Sequence, residues 1–305
     1  MSRTVTVGFD GSPESRAAAD WAAREARLRA LPLRVVRVWE SVPEPMAQAP
    51  LPGAETRQHW TERIPRESAE RLRLRHPGIE VVVEQYTGDP VGILGEAAAS
   101  AEPLVLGSRG LGGIGGFVAG SVGAAVTARA ERPVVVVRAD EPTTDGHGSG
   151  PAAGDAPAAP VVLGLDTAEP DETLLRFAFG AAARRGVPLR VVHVWRPPPA
   201  YACELSACAY GPAGPGDGPG SAGELEAEGL AKVLQPWRQS FPGVEVVAES
   251  RTGSAARVLV EAAREAGLAV VGKRLRAGRL GAHLGHVAHA VLHHVAAPVA
   301  VVPHT

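Results

Sequence analysis

The 305-residue chain has two cysteines, Cys203 and Cys208, too few for a disulfide framework. Both lie in a stretch rich in proline and glycine and read as reduced thiols in a loop. A redox pair or half of a metal site would need further cysteines nearby. Neither charge sign is in excess. Lys and Arg total 31, Asp and Glu 33, and the formal net charge is -2. That balance argues against a nucleic-acid binder held by bulk phosphate attraction. No apolar run approaches the roughly 20 residues that span a bilayer. The first residues, Met1-Ser2-Arg3-Thr4-Val5, carry no apolar leader. The expectation is a cytoplasmic protein without membrane or nucleic-acid partners. Disorder of the whole chain is excluded, because 45% hydrophobic residues give enough apolar surface to offset ordering. The 36 glycines and 27 prolines cluster in a few stretches and read as loops and linkers. At about 150 residues per domain the length suits two domains.

The chain repeats itself. Leu31-Pro32-Leu33-Arg34-Val35-Val36-Arg37-Val38-Trp39 returns as Val187-Pro188-Leu189-Arg190-Val191-Val192-His193-Val194-Trp195. Val7-Gly8-Phe9-Asp10 returns as Leu163-Gly164-Leu165-Asp166 at the same offset. Thr87-Gly88 and Thr252-Gly253 match at a larger one, as do Pro133-Val134 and Pro298-Val299. The second copy therefore carries an insertion, placed in the long loop from Arg196 to Gly223. Residues 141–159 lack apolar periodicity and read as a flexible linker. The expected domains are 1–140 and 160–305.

In the first copy, Thr4 to Phe9, Leu33 to Trp39, Ile79 to Tyr86, Leu104 to Leu106 and Val134 to Val137 read as strands. Pro13 to Ala30, Glu55 to Arg75, Val91 to Ala101 and Ser121 to Ala130 read as helices. The strands are near-continuous Val/Leu runs, as in a parallel sheet buried on both faces. Strands alternating with helices give an α/β class with two tandem, doubly wound, five-stranded parallel sheets. In such sheets ligands lie beyond the carboxyl ends of the strands, where the winding reverses. The residues to watch are Asp10-Gly11-Ser12, Trp39-Glu40 and the loop after Leu106.

That loop, Gly107 to Ser121, holds seven glycines in 15 residues. Glycine lets backbone approach an anion closely, and free N–H groups cradle phosphate oxygens. Ser121 is placed to cap the next helix, whose N-terminus favours anions, and Arg109 adds charge. Other motifs fit poorly. Gly110-x-Gly112-x-x-Gly115 has dinucleotide spacing but follows the fourth strand, not the first. No lysine completes a P-loop. Ala119 stands where a hydrolase elbow needs glycine. From spacing alone, a phosphate cradle and a plain chain-reversal loop both stand.

Gly107-x2-Gly110-x9-Gly120-Ser121 resembles the ATP-binding pattern of universal stress proteins. So do the opening Val7-Gly8-Phe9-Asp10-Gly11-Ser12, the Val-Trp end of the second strand and the fifth strand Pro133-Val134-Val135-Val136-Val137. The resemblance covers nearly the whole chain, twice. It implies an adenine-nucleotide-binding fold, with ATP as ligand and Mg2+ as an optional companion. It implies that Gly8, Asp10 and the backbone near Val38 hold the adenosine end. Gly107, Ser108, Arg109, Gly110, Gly112, Gly113, Gly120, Ser121 and Val122 would follow the ribose and phosphates. It also implies pairing through the last strand, between the two copies inside the chain and again in a homodimer. The implied role is a nucleotide-dependent stress-response module without fast catalysis. The rivals are a slow ATPase or adenylyl-transferring enzyme with the Cys203 loop as lid, and a ligand-free scaffold.

The second copy departs from the pattern. Asp166, Gly272 and Gly285 are kept, but Leu275 replaces Gly110 and His286 replaces Ser121. Lys273 and Arg274 add charge, so a weakened or silent second site is expected. Six histidines fall between His283 and His304. His286, His289 and His293 share a helical face, but no Asp, Glu or Cys accompanies them locally, so they read as solvated rather than metal-binding. The arginines between Arg63 and Arg75, interleaved with Glu62, Glu67 and Glu70, read the same way. Trp39 and Trp195 end equivalent strands and read as packing residues.

Overall fold

We describe the fold from a computed structural model. It describes residues 3–39, 70–108, 121–139, 159–196, 220–275 and 284–304. The first half runs β1 (Thr4–Gly8), α1 (Pro13–Arg29), β2 (Leu33–Trp39), β3 (Val81–Thr87), α2 (Pro90–Ala99), β4 (Ala101–Ser108), α3 (Ser121–Arg129) and β5 (Val134–Arg138). The second runs β6 (Val161–Leu165), α4 (Glu172–Arg185), β7 (Leu189–Trp195), α5 (Gly220–Ser240), β8 (Val246–Thr252), α6 (Ala255–Ala262), β9 (Leu268–Arg274), α7 (His286–His294) and β10 (Val299–His304).

The element edges follow local chemistry. Ser12 caps α1 by accepting from Ser15 N, Pro13 opens it, and Ala30 closes it at φ 52. Asp89 and Asp171 cap α2 and α4 in the same way. β4 is longer than the Leu104–Leu106 run suggested. Pro103 lies where its register against β1 shifts, and ladder pairing continues on both sides of that irregularity. The expected helix from Glu55 is described only over its last turns, 70–75. The loop expected from Arg196 gives way to α5 at Gly220, earlier than Gly223.

The strands form one sheet in the order β3-β2-β1-β4-β5-β10-β9-β6-β7-β8. Within each half every pair is parallel. β5 and β10 join the halves antiparallel, with Val136 opposite Val299 and Val134 opposite Val301. The pairing through last strands is therefore internal. Each last strand has neighbours on both sides, so neither offers an edge for the expected homodimer contact. Among the described residues the sheet ends at β3 and β8, and both carry charge. Arg34 Nε donates to Glu84 at 2.7 Å, and Arg190 Nη2 to Glu249 at 3.1 Å, at equivalent places in the two halves. Charged side chains are a usual guard against edge-to-edge association.

Two apolar layers enclose the sheet. One face packs Ala18, Trp21 and Ala22 of α1, Leu174 and Phe179 of α4, and Leu230 and Leu234 of α5. The other packs Leu94 of α2, Val126 of α3, Leu259 of α6 and Leu292 of α7. Both layers run unbroken across the junction between halves. Burial at about 25 cal/mol per Å2 thus acts on one body rather than two.

A buried ion cluster crosses the same junction. Glu25 of α1 is 1% exposed. It accepts from Arg29 Nε, and from Arg185 Nη2 of α4 at 2.5 Å. Arg184 lies 4.0 Å away. Arg185 also lies over the Trp21 ring, and Arg29 over the Phe177 ring, so each guanidinium touches an aromatic face as well as the carboxylate.

Candidate functional site

In the first half β1 lies between β2 and β4, so the winding reverses at its end. Pairing of β1 with β2 runs out at Gly8 opposite Val36. Val38 therefore stands beyond β1 on the lip of a crevice. Asp10 follows directly on the same lip, exposed, with Oδ1 accepting from Ser12 N at 2.9 Å. Gly11, at φ 87, makes the turn into α1. The far lip is the end of β4, Gly107 and Ser108. From there the chain leads to α3, which begins at Ser121 followed by Val122. Ser121 is thus the first helical residue, one place inside the expected cap. Arg109, Gly110, Gly112, Gly113 and Gly120 lie outside the described residues.

Two of the expected glycines serve packing. A Cβ on Gly107 would stand 2.6 Å from the Glu14 carbonyl carbon and 2.8 Å from Ser15 N. The strand therefore passes directly against the start of α1. A Cβ on Gly8 would stand 2.8 Å from Leu106 Cδ2.

Two polar groups at this end of the sheet are buried without a partner among the described residues. They are Ser108 Oγ, on a residue 4% exposed, and Arg37 Nη1, on a residue 5% exposed. Such groups normally find a hydrogen-bond partner. Arg37 also lies over the Trp39 ring, its guanidinium carbon 3.7 Å from the centroid. Burial depresses the Arg37 pKa, and the charge of Asp10 opposes this. Sequence reasoning missed Arg37. The signal available was a charged residue inside a Val/Leu strand, matched by a histidine at the same place in the second copy.

The second half keeps the frame and changes what fills it. Ala168 N donates to Asp166 Oδ1 at 3.1 Å, as Ser12 does to Asp10. Arg274 lies 3.7 Å from Asp166 and also pairs with Glu169. His193, at the place of Arg37, sets Nδ1 against the Leu165 carbonyl at 3.1 Å. Its Nε2 lies 3.1 Å from Glu226 of α5 and 3.2 Å from Thr167 Oγ1. Arg274 is thus engaged with two acids of this half, and His193 separately with Glu226 and Thr167. Gly272, which answers to Gly107, faces the His304 ring, and Gly285 caps α7 without a side chain to offer.

Lys273 corrects the expectation most clearly. It does not face a phosphate path. It is 3% exposed, and Nζ donates to the carbonyls of Thr127 (3.0 Å), Ala128 (3.0 Å) and Ala130 (2.6 Å) at the end of α3. Burial lowers its pKa to about 8, against the opposing charge of Glu131. The free C-terminal carbonyls of a helix attract a cation, and this site lies in the other half of the chain.

The histidine face on α7 brings His289 and His293 together, ring centroids 4.1 Å apart. Burial depresses the His293 pKa, with His289, His294 and Arg138 adding to the effect. Among the described residues no group of three or more His, Cys, Asp or Glu is placed to hold a metal ion. No helix there is long and apolar enough to cross a membrane. Cys203 and Cys208 lie outside the described residues.

Comparison with known proteins agrees with this two-fold architecture. The model of the universal stress protein family matches residues 1–138 and again 158–303. A universal stress protein of Mycobacterium tuberculosis is 35% identical over 305 residues, spanning 97% of this chain and 96% of the relative. One from Mycolicibacterium smegmatis is 33% identical over 308 residues, spanning 98% and 96%. The crystal structure of a universal stress protein from Archaeoglobus fulgidus superposes with a TM-score of 0.67 at 17% identity, covering 98% of each chain, which supports the fold. With two matches to one family model and relatives spanning nearly its whole length, the chain belongs to the universal stress protein family as a tandem of two domains.

Proposed function

We propose that the first half binds an adenine nucleotide, ATP in this reading, and that occupancy makes the protein a regulatory module of a stress response. Asp10 and the Val38 main chain take the nucleoside. The segment from Gly107 to Val122 takes the phosphates, with Arg109, Gly110, Gly112, Gly113 and Gly120 lending charge and close backbone approach. The observation that carries this is the switch-point crevice itself. A carboxylate stands on one lip, and a glycine-rich segment leads from the other lip to a helix N-terminus, the usual setting for a phosphate. The hydroxyl of Ser108, without a partner among the described residues, adds a donor to the same end. In the second half Leu275 replaces Gly110 and His286 replaces Ser121, so that half is read as silent.

Calorimetric titration with ATP tests the reading. Gly110→Leu, which copies Leu275 of the second half, should abolish uptake. Asp10→Ala should weaken it about tenfold to a hundredfold, the range for a lost hydrogen bond to a charged group. A Gly110→Leu protein that binds as well as the parent removes the assignment.

A further inference from the structure

Helix α3 starts where the glycine-rich segment ends, and it is short. Its nine residues include Gly123, so by itself it is a marginal helix. Its far end is held from the other half. The three carbonyls bonded by Lys273 Nζ are groups a helix terminus cannot satisfy internally. Lys273 occupies the place in the second copy that Ser108 holds in the first, the last positions of the strand before the glycine segment. The residue beside it, Arg274, holds Asp166 and Glu169. One strand end of the second half thus grips its own degenerate crevice and the helix behind the first half's crevice. Arg138 of β5 makes a related contact the other way, donating from Nη2 to the Leu292 carbonyl near the end of α7 at 2.7 Å.

We infer that Lys273 is a positioning residue for the first-half nucleotide site: by anchoring the C-terminal end of α3 it fixes the amides of Ser121 and Val122 at the other end. The inference rests on the nucleotide reading of the first half. It gives the second half a task other than binding, that of a built-in brace for the half that binds. The brace acts through a charge on a buried amine, so an uncharged side chain of similar length cannot replace it.

The test compares ATP affinity in the full chain for the parent, Lys273→Met, Lys273→Arg and Glu25→Gln. Lys273→Met should bind about three- to thirtyfold more weakly, the range for substitutions in a coupling network remote from the ligand. Lys273→Arg, which keeps the cation, should recover most of the loss. Glu25→Gln weakens the junction elsewhere and should bind like the parent. Without nucleotide, amides of α3 should exchange faster in Lys273→Met than in the parent. Should Lys273→Met fail to fold, Lys273→Gln, which keeps one donor group, takes its place. Equal affinity in the parent and the uncharged variant overturns the inference. So does a loss in Glu25→Gln as large as that in Lys273→Met, because general destabilisation then explains both. A parent that takes up no ATP overturns the proposed function instead. The exchange rates of α3 then judge the brace alone, and unchanged rates overturn it.

Discussion

Replacing Glu25 with glutamine should lower the unfolding free energy by about 3–5 kcal/mol, the usual cost of removing one partner from a buried ion pair. The carboxylate is 1% exposed and faces Arg29, Arg184 and Arg185. Without it, three guanidinium groups share a junction with no other acid ion-paired to them among the described residues. The effect also has a pH signature. Burial alone would raise the Glu25 pKa, but Arg185, Arg29 and Arg184 outweigh it and hold the carboxyl below the ordinary carboxylate range. A group depressed in the folded state contributes fully above its unfolded value, about 4.3 for Glu. It loses that contribution as pH falls through the lower folded value. Urea unfolding at neutral pH should therefore separate parent and variant, and the two should converge in acid. A neutral-pH difference below about 1 kcal/mol, the level of an exposed pair, would show that the cluster does not hold the halves together.

The second large effect concerns a glycine that both copies retain for different reasons. Gly107→Ala should cost about 3 kcal/mol, the upper end for overpacking. The new methyl would meet main-chain atoms of Glu14 and Ser15 at 2.6 to 2.8 Å. Backbone at a capped helix start cannot step aside cheaply. Gly272→Ala meets the side chains of His304 and Leu174, which can turn away, and should cost markedly less. Thermal unfolding of the two single variants checks the contrast. Equal losses would mean that the packing difference between the halves is not what the two glycines answer to.

Much of the architecture was legible in the chain. The repeated Val/Leu runs located the strands, and their alternation with helices fixed the class. Asp10 and Asp166, each followed by a turn, marked the strand ends at the switch-point crevices. What the sequence hid depends on partners far away along the chain. Lys273 and Arg274 stand together at the end of a buried strand, and local reading sends both toward a phosphate. The carbonyls that take Lys273 belong to residues 127, 128 and 130, and no local pattern announces them. Asp166 forms the same turn as Asp10, and only the fold brings Arg274 to it. Val134 to Val137 reads as a buried strand whatever its neighbour. That its neighbour is Val299 to Val301 of the same chain is a property of the assembled sheet, and it removes the edge that a homodimer would have used. Arg37 stands in a strand of mostly valine and leucine, and its burial depends on what the fold packs around it.

The most direct test of the account is the amount of ATP the full chain retains at saturation, measured by equilibrium dialysis. The expected result is one nucleotide per chain, held by the first half, with the second half empty because Leu275 and His286 replace Gly110 and Ser121. No retained nucleotide, or two per chain, would contradict it.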